Sequence, residues 1–365
     1  MSAMKNAVRS EWRVADLEQD QSWIFPVSET ARTHLEQIIK STYDAGRPLF
    51  DYLPEDFDLG PAQHIISAAM NEAHHGRGLA LVRGLPRAGL SEKEFELLNW
   101  AIGLHTGVAR PQGRASQYIS PVRDVGTDYR SAGGRGYSSN AKLDFHADGA
   151  DLVTLGCYNS ARSGGQSMIT SGLTARRCLM AERPDLAEVA HRAFYFSRQN
   201  EQAPDEAPYY GQPLFDSADE HVFCKWNRNR VQSAQNIDGV PKLSDRQRET
   251  MDVLDDILRR PDLMFTMYLE PGDLQILNNH KMLHSRTDYV DYDEPEKKRL
   301  LCRLWIAPPD SVRLPGSWWD FYRSIEPGTI RGGIRGHQHD AVCKAFERRQ
   351  AENMGMPFGP IAMAV

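Results

Sequence analysis

The sequence is poor in cysteine, and the few cysteines are not spaced for a metal site or a disulfide framework. Five occur in 365 residues, widely separated, and no two form a C-x-x-C pair. The odd number argues against a fold held together by disulfides, and the missing C-x-x-C pair argues against a thiolate zinc site. A reducing compartment, the cytoplasm, is therefore the expected location.

The sequence also lacks long apolar runs and blocks of basic charge. No apolar stretch approaches the ~20 residues that a membrane-crossing helix needs, and the N-terminus has no apolar signal-peptide segment. The 43 basic and 49 acidic residues give a net charge of −6 and are spread along the chain. These absences disfavour nucleic-acid and membrane partners. A small-molecule substrate is the expected partner, and self-association into a homo-oligomer stays open.

A Gly-rich phosphate-binding loop between a strand and a helix is missing too, which disfavours a doubly wound parallel sheet. Instead, short strands bounded by turn residues alternate with amphipathic helices. This pattern predicts a mainly β protein with helices, whose core is a double-stranded β-helix (jelly roll) with a helical N-terminal region and insertions. Strands are predicted at residues 79–84, 152–158, 166–171, 264–269, 274–279 and 299–306. Helices are predicted at residues 28–43, 61–75, 91–103, 174–180, 184–193 and 244–260.

We expect a single domain over residues 1–365. Its parts are a helical N-terminal region at 1–105, a jelly-roll core at 106–310 with an insert at about 172–262, and a C-terminal extension at 311–365. Residues 106–141 are rich in Gly, Arg, Ser and Tyr and show weak periodicity. Because a loop of this length inside a compact domain is usually functional or disordered, we expect it to form a wall or lid of the binding pocket.

The most informative stretch is L-D-F-H-A-D-G-A-D at residues 143–151. If it is a β-strand, His146 and Asp148 point to the same side, because side chains alternate with period two. A second histidine from a distant strand would complete the 2-His-1-carboxylate set that holds non-haem Fe(II) and leaves positions open for substrate and O₂. Taken alone, the H-x-D pair is a weak signal and is more typical of a polar strand end.

Two groups of residues downstream can complete such a site. His280 and His284 are both candidates for the third metal ligand. The last predicted strand, R-L-L-C-R-L-W-I, places Arg299 and Arg303 on one face. A guanidinium group there can clamp a carboxylate with two parallel hydrogen bonds.

At this point five motifs resemble the Fe(II)/2-oxoglutarate-dependent dioxygenases of the taurine dioxygenase family, which are related to clavaminate synthase. The motifs are F-H-A-D-G, S-G-G-Q-S-x-x-x-S, E-P-G-D-L-Q-I-L-N-N, L-H-S-R-T and R-L-L-C-R-L-W. They run from about Gly136 to Ile306 in the order expected of that family. The resemblance implies that His146, Asp148 and His284 bind Fe(II), and that 2-oxoglutarate and O₂ are cosubstrates.

The resemblance also implies a site for 2-oxoglutarate. Arg303 would hold its distal carboxylate with help from Ser167, and Arg299 would lie on the same face, nearer the substrate or the cosubstrate. The spacing of 19 residues between His284 and Arg303 is longer than is usual in the family. A longer hairpin at 291–298 explains this spacing, but Arg299 is an alternative for the clamp.

The function implied by the resemblance is oxidation of an unactivated C–H bond of a small polar or anionic metabolite, with release of succinate and CO₂. Hydroxylation, desaturation and ring formation all fit, whereas related halogenases carry a small residue in place of Asp148. Two other classes remain open. One is a non-catalytic jelly-roll metal-binding protein for sensing or storage, and the other is a hydrolase that uses its metal as a Lewis acid.

Several other polar residues are expected to have no role in metal or substrate binding. His74 and His75 end a predicted helix, and adjacent residues point apart on a helix, so solvated charges at a helix C-terminus are favoured over a metal pair. His280 is expected in a loop, and Arg228 and Arg230 on a solvated face.

Overall fold

The computed structural model describes residues 9–127 and 136–357, and two β-sheets form its centre. The strands are β1 (Ile24–Pro26), β2 (Leu79–Arg83), β3 (Val108–Arg110), β4 (Ile119–Val122), β5 (Leu152–Asn159), β6 (Ser163–Gly164), β7 (Ser167–Ser171), β8 (Phe194–Ser197), β9 (Tyr209–Gln212), β10 (Phe215–Ala218), β11 (His221–Cys224), β12 (Phe265–Met267), β13 (Leu274–Asn278), β14 (Met282–Arg286), β15 (Tyr289–Val290) and β16 (Leu300–Ala307). The helices are α1 (Val14–Gln19), α2 (Glu29–Thr42), α3 (Gln63–His75), α4 (Glu92–Leu104), α5 (Gly172–Glu182), α6 (Pro184–Ala190), α7 (Arg228–Ala234), α8 (Asp245–Leu258), α9 (Trp319–Tyr322) and α10 (Ala341–Asn353).

The larger sheet has seven strands in the order β1-β2-β13-β5-β16-β3, and β4 also pairs with β16. Its pairs are antiparallel except β1 with β2. A three-stranded antiparallel sheet, β12-β7-β14, shares an apolar core with it. The two sheets enclose one core and form a jelly roll, and the described strands do not close into a barrel. The predicted fold class is therefore confirmed.

Alternation along β16 shows why the larger sheet is buried on both faces. Leu301 and Trp305 join the core between the two sheets, whereas Cys302, Leu304 and Ile306 join a second core under the N-terminal helices. Side chains of successive strand residues point to opposite faces. Because both faces of the strand are covered, all eight residues of β16 are buried. Its odd-numbered residues point into the core between the two sheets.

The N-terminal helices cover the outer face of the larger sheet. Leu35 of α2, Ile66 of α3 and Leu98 of α4 belong to the same apolar core as the outward residues of β16. The helix α4 begins at the predicted capping box, in which the Ser91 hydroxyl accepts from the Glu94 N–H and the Glu94 carboxylate accepts from the Ser91 N–H. No described helix has the length and apolar character needed to cross a bilayer.

The insert packs against the C-terminal part of the chain. Helices α5, α6 and α8 and the short strands β8–β11 contribute to one apolar core with residues such as Trp318 and Phe321. Trp226, between β11 and α7, is fully buried there, and its indole N–H donates to Asp255 of α8 at 2.9 Å. The insert thus forms a third wall beside the two sheets.

Two predicted local structures are wrong. Residues 106–141 are not one long loop, because β3 and β4 lie within them and pair with β16; residues 128–135 lie outside the described part. The stretch 143–151 is not a continuous strand, because His146 forms only isolated bridges, to His284 and to Asn227. Beyond His146 the backbone is held by single hydrogen bonds to separate segments instead of a strand ladder, such as the one from the Ala147 N–H to the Trp226 carbonyl oxygen at 3.0 Å.

The two-stranded antiparallel pairing of β6 with β15 gives a stability prediction. Gly164 has φ of +72°, and a methyl group there would lie 2.2 Å from the Asp288 carbonyl oxygen, whereas Gly239 has φ of +82° in a turn with open space around it. Left-handed backbone costs a residue with a Cβ about 1–2 kcal/mol, and the clash adds about 1–3 kcal/mol at Gly164 only. In urea unfolding, Gly164→Ala should therefore lose clearly more stability than Gly239→Ala. Equal losses would contradict the close approach at Asp288.

Candidate active site

One cavity brings together residues from both sheets, from the 106–141 stretch and from the insert. Its wall includes all of the predicted site residues, namely His146, Asp148, Ser167, His284, Arg299 and Arg303. Gln112, Val122 and Tyr137 of the 106–141 stretch also line it, which confirms that this stretch forms a wall of the pocket.

His146, Asp148 and His284 converge in this cavity. Their ligand atoms lie within 4.8 Å of one another, and His284 Nε2 lies 3.7 Å from Asp148 Oδ2. That distance is too long for a hydrogen bond, yet two ligands that bind one ion at ~2.1 Å each can be this far apart. In the described part of the chain, Asp148 Oδ2 and His284 Nδ1 have no hydrogen-bond partner. The donor set and its unpaired atoms fit an Fe(II) centre of the 2-His-1-carboxylate type.

Backbone pairing brings the two histidines together. The N–H of each donates to the carbonyl oxygen of the other at 2.9 Å, although the residues are far apart in sequence. His146 Nδ1 lies 2.9 Å from the carbonyl oxygen of Asp144. The hydrogen on Nδ1 donates to that carbonyl, which leaves Nε2 of His146 as the nitrogen that can bind a metal.

Side chains from two other elements hold the backbone of Asp148. Its N–H donates to Asn279 Oδ1 at 3.0 Å, and its carbonyl oxygen accepts from Lys225 Nζ at 2.7 Å. Lys225 is buried, and burial together with the nearby Arg230 lowers its pKa to about 7. These two contacts orient the carboxylate where no strand does so.

The surroundings favour the protonation states that bind metals. Burial lowers the pKa of His146, and burial with the neighbouring His146 lowers that of His284 to about 3. Burial alone would raise the pKa of Asp148, but Arg303 and the two histidines outweigh it and lower the value to about 2. At neutral pH the site therefore holds neutral imidazoles and an ionised carboxylate, which are the ligating forms.

Arg303 lies directly beside these three residues. Its Nη1 is 3.5 Å from Asp148 Oδ1, and its Nε donates to Gln112 Oε1 at 2.8 Å. Its Cζ is 5.0 Å from the ring centroids of both Tyr137 and Trp305. Contacts with aromatic faces and with Gln112 fix the guanidinium next to the candidate metal centre.

Arg299 lies on the same face of the chain, four residues before Arg303 and so up to ~13 Å away along an extended strand. It is 5% exposed, and in the described part of the chain its Nη1 has no hydrogen-bond partner. A methyl group on Gly165 would lie 3.2 Å from Arg299 Nε, so the arginine packs over the Gly-Gly turn. Ser167 follows that turn and exchanges hydrogen bonds with Gln275 at 3.0–3.1 Å.

Comparison with known proteins decides which chemistry this arrangement serves. The sequence profile of the taurine catabolism dioxygenase TauD, TfdA family matches residues 45–305, which is more than two thirds of the chain. The chain belongs to this family. It is an Fe(II)- and 2-oxoglutarate-dependent dioxygenase that uses Fe(II), 2-oxoglutarate and O₂, as the sequence resemblance implied. The alternatives of a non-catalytic metal-binding protein and of a metal hydrolase do not agree with this assignment.

Individual relatives of this dioxygenase are distant. The FR-33289 synthase of Streptomyces rubellomurinus (strain ATCC 31215) is 28% identical over 317 residues, which cover 85% of this chain and 92% of the synthase. An asparagine oxygenase structure with Fe(II), 2S,3S-3-hydroxyasparagine and succinate has a TM-score of 0.57 at 16% identity, covering 78% of this chain and 93% of that one. The non-heme iron oxygenase OrfP with Fe and α-ketoglutaric acid has a TM-score of 0.55 at 16% identity, covering 78% and 94%. These structures share the fold.

Three residues at the centre of this dioxygenase were not predicted from its sequence. Asn279 lies inside the E-P-G-D-L-Q-I-L-N-N motif, so the motif itself was a usable signal. Gln112 lies in the stretch that was predicted to form a pocket wall, but nothing singled it out. Lys225 had no sequence signal at all, because its importance depends on burial beside the Asp148 carbonyl.

Two other residues differ from expectation. His280 is in the turn between β13 and β14, as predicted, but it is buried, and its Nε2 lies 3.0 Å from Asp151 Oδ1. It therefore belongs to a separate buried group with Asp151 and Arg331, not to the three converging residues. Arg230 is not on a solvated face, because it lines the cavity, donates to the Ser197 carbonyl and pairs with Glu201 at 3.5 Å.

Proposed function

We propose that this TauD-family dioxygenase oxidises a C–H bond of a small anionic metabolite, by hydroxylation, with Fe(II) held by His146, Asp148 and His284. The observation that carries the substrate class is the charge of the cavity. Its cationic side chains are Lys225, Arg230, Arg286, Arg299 and Arg303, and among the described residues of its wall Asp148 is the only acid. Arg230 is neutralised by Glu201, and the lowered pKa of Lys225 makes it only partly charged at neutral pH. Even with only Arg299 and Arg303 set against Asp148, Fe(II) and 2-oxoglutarate, positive charge remains, and an anionic substrate would neutralise it.

We assign the distal carboxylate of 2-oxoglutarate to Arg299, which the sequence left as the alternative to Arg303. A molecule that chelates the metal through its keto acid end carries its second carboxylate at the far end of a five-carbon chain. Arg303 lies within 3.5 Å of the metal ligand Asp148, which is too near the metal for that role. Arg299 has a buried Nη1 without a partner in the described chain and packs over the turn that precedes Ser167, which supports the assignment.

Arg303 is then available for the substrate. Its contacts with Gln112 and with two aromatic rings hold its guanidinium at the metal side of the cavity. A charged group of the substrate bound there would place a neighbouring C–H bond near the metal, and orientation of this kind supplies a large part of catalysis. Tyr137, Leu143 and Phe321 line the same cavity and would exclude water around the bound substrate.

When bound, Fe(II) with 2-oxoglutarate supplies the activation of O₂ that oxidises the substrate, with release of succinate and CO₂. The chain's own contribution is to keep the metal ligands in their binding forms and in place. The hydrogen bond from His146 Nδ1 to the Asp144 carbonyl orients one ligand. Asn279 and Lys225 orient Asp148 through its backbone, and contacts of this kind around a metal ligand tune its affinity by 10–100-fold.

A carboxylate is the anionic group that we favour. Neighbouring structures of the same fold hold hydroxylated amino acids, 2S,3S-3-hydroxyasparagine in the asparagine oxygenase and (3S)-hydroxy-L-Arg in OrfP. Both compounds carry a carboxylate and a hydroxyl group, which supports hydroxylation over desaturation or ring formation. Asn227 and Asn229 in the cavity wall would serve the uncharged polar groups of such a substrate.

The test uses matched pairs of small molecules that differ only in charge. Carboxylates, sulfonates and phosphonates are compared with their amides or esters, and succinate release and O₂ consumption are measured with Fe(II) and 2-oxoglutarate present. We expect some anionic members to stimulate both readouts at least tenfold over their neutral counterparts. Equal or better stimulation by the neutral counterparts would contradict an anionic substrate.

The location, domain organisation and oligomeric state of the protein are also proposals. We propose a cytoplasmic location, supported by five cysteines that are all buried and unpaired. The single domain over residues 1–365 and the homo-oligomer also remain predictions, to be checked by limited proteolysis and by mass in solution.

A further inference from the structure

His74, His75 and Asp310 form a second cluster of ligating side chains, on the surface and separate from the active site. His74 Nδ1 lies 3.1 Å from Asp310 Oδ1, and His75 Nε2 lies 2.6 Å from Asp310 Oδ2. The three ligand atoms all lie within 4.8 Å of one another. The side chains are 7%, 32% and 58% exposed, so the cluster runs from the protein interior to solvent.

The convergence of the two histidines corrects the sequence prediction of solvated, diverging charges. His75 is the last residue of α3, and the helix stops at Gly76, whose φ of −91° and ψ of −126° are not helical. The two rings have centroids only 4.1 Å apart. Asn278 and Lys281 both donate to the His74 carbonyl oxygen, at 3.1 and 3.0 Å, and fix the helix end on the larger sheet. These contacts hold the backbone at the helix end from which both rings project.

The surroundings suit a cation with open coordination positions. Carbonyl groups at a helix C-terminus carry partial negative charge that favours cations, and the cluster lies at the end of α3. His74 and His75 also line a small cavity together with His221 of β11 and Lys281, whose ammonium group is directed at the His74 carbonyl oxygen. His221 is thus a nearby imidazole that could become a fourth ligand.

We propose that His74, His75 and Asp310 form a binding site for a divalent transition-metal ion of the Zn²⁺, Ni²⁺ or Cu²⁺ type. Two imidazole nitrogens and one carboxylate oxygen are the ligands that such ions prefer. The exposed side of the cluster leaves room for water as a further ligand. The site shares no residue with His146, Asp148 and His284, so it is independent of the catalytic iron and of the proposed function.

Counting bound metal separates this site from the catalytic one. The whole protein, stripped of metal, is dialysed against micromolar Zn²⁺ at pH 7.5, and bound zinc is measured in the wild type, His75→Ala, His284→Ala and the double variant. We expect two equivalents in the wild type, one in each single variant and none in the double variant. His64→Ala, an exposed histidine on the same helix, is the matched control and should keep two.

A second measurement, the change in melting temperature on adding zinc, is used because a variant can lose stability for reasons unrelated to metal binding. Asp310→Asn keeps a side chain of the same shape but loses its charge. Both this change and His75→Ala are therefore made, separately, in the His284→Ala protein, in which only the second site remains. Adding Asp310→Asn or His75→Ala to it should abolish the zinc-dependent rise in melting temperature that His284→Ala alone retains, and zinc affinity should fall at least ~10-fold. A His284→Ala protein that binds no zinc, or one whose zinc survives the addition of His75→Ala and of Asp310→Asn, would overturn the proposal.

Discussion

Alanine in place of His146, Asp148 or His284 is expected to abolish iron-dependent turnover. The three side chains converge in one cavity, and each would supply one ligand of a single centre. Loss of one ligand from three leaves too few protein donors to hold Fe(II), so the metal content after dialysis should fall together with succinate formation. Both quantities are measured in each variant, with 2-oxoglutarate and O₂ in excess.

His280→Gln is the matched control for the ligand variants. His280 is a buried histidine four residues from His284, and its Nε2 lies 3.0 Å from Asp151 Oδ1. A glutamine side chain can still donate a hydrogen bond to that carboxylate, and Arg331 also donates to it at 2.5 Å, so Asp151 stays paired in the control. It should keep its iron. Loss of iron in His280→Gln combined with iron retained in His284→Ala would show that the ligand assignment is wrong.

Arg299→Ala is expected to weaken the binding of 2-oxoglutarate strongly. Removing one charged partner from a desolvated carboxylate costs on the order of 2–5 kcal/mol, which corresponds to roughly 30-fold to several thousand-fold in affinity. The Kd of 2-oxoglutarate is measured without O₂ in the Fe(II)-loaded protein, so that no substrate is required. Arg303→Ala provides the internal comparison, because it lies on the same strand face.

Arg303→Ala should act on the prime substrate instead. Its guanidinium lies 3.5 Å from Asp148, a proposed metal ligand. We expect its loss to raise the KM of the anionic substrate, with a much smaller change in the Kd of 2-oxoglutarate. The reverse pattern, with 2-oxoglutarate lost in Arg303→Ala and kept in Arg299→Ala, would restore the assignment that the sequence resemblance implied.

Much of the fold could be predicted because strands and helices carry their own local signals. The strand predicted at 299–306 occurs as β16 at Leu300–Ala307, and the helix opened by the Ser91 capping box occurs at Glu92–Leu104. The strands β3 and β4 were missed because they have three and four residues and are defined by pairing with β16. Segments this short have no periodicity of their own to detect.

The site was predictable where its residues form motifs and not where they act through tertiary contacts. His146, Asp148 and His284 occur in motifs, and the structure brings them together. Lys225 acts only through the backbone of Asp148 after both are buried. The choice between Arg299 and Arg303 also needed coordinates, since alternation puts both on one face but does not say which end of the strand lies at the metal.

The most direct test is an anaerobic titration of the Fe(II)-loaded protein with 2-oxoglutarate, followed by the visible charge-transfer absorption that arises when a 2-keto acid chelates Fe(II). We predict a band in the wild type that saturates at one 2-oxoglutarate per iron. The band should persist in His280→Gln and be absent from His284→Ala. A wild-type protein that binds iron but shows no such band, or a His284→Ala protein that retains it, would contradict the proposed iron and 2-oxoglutarate site.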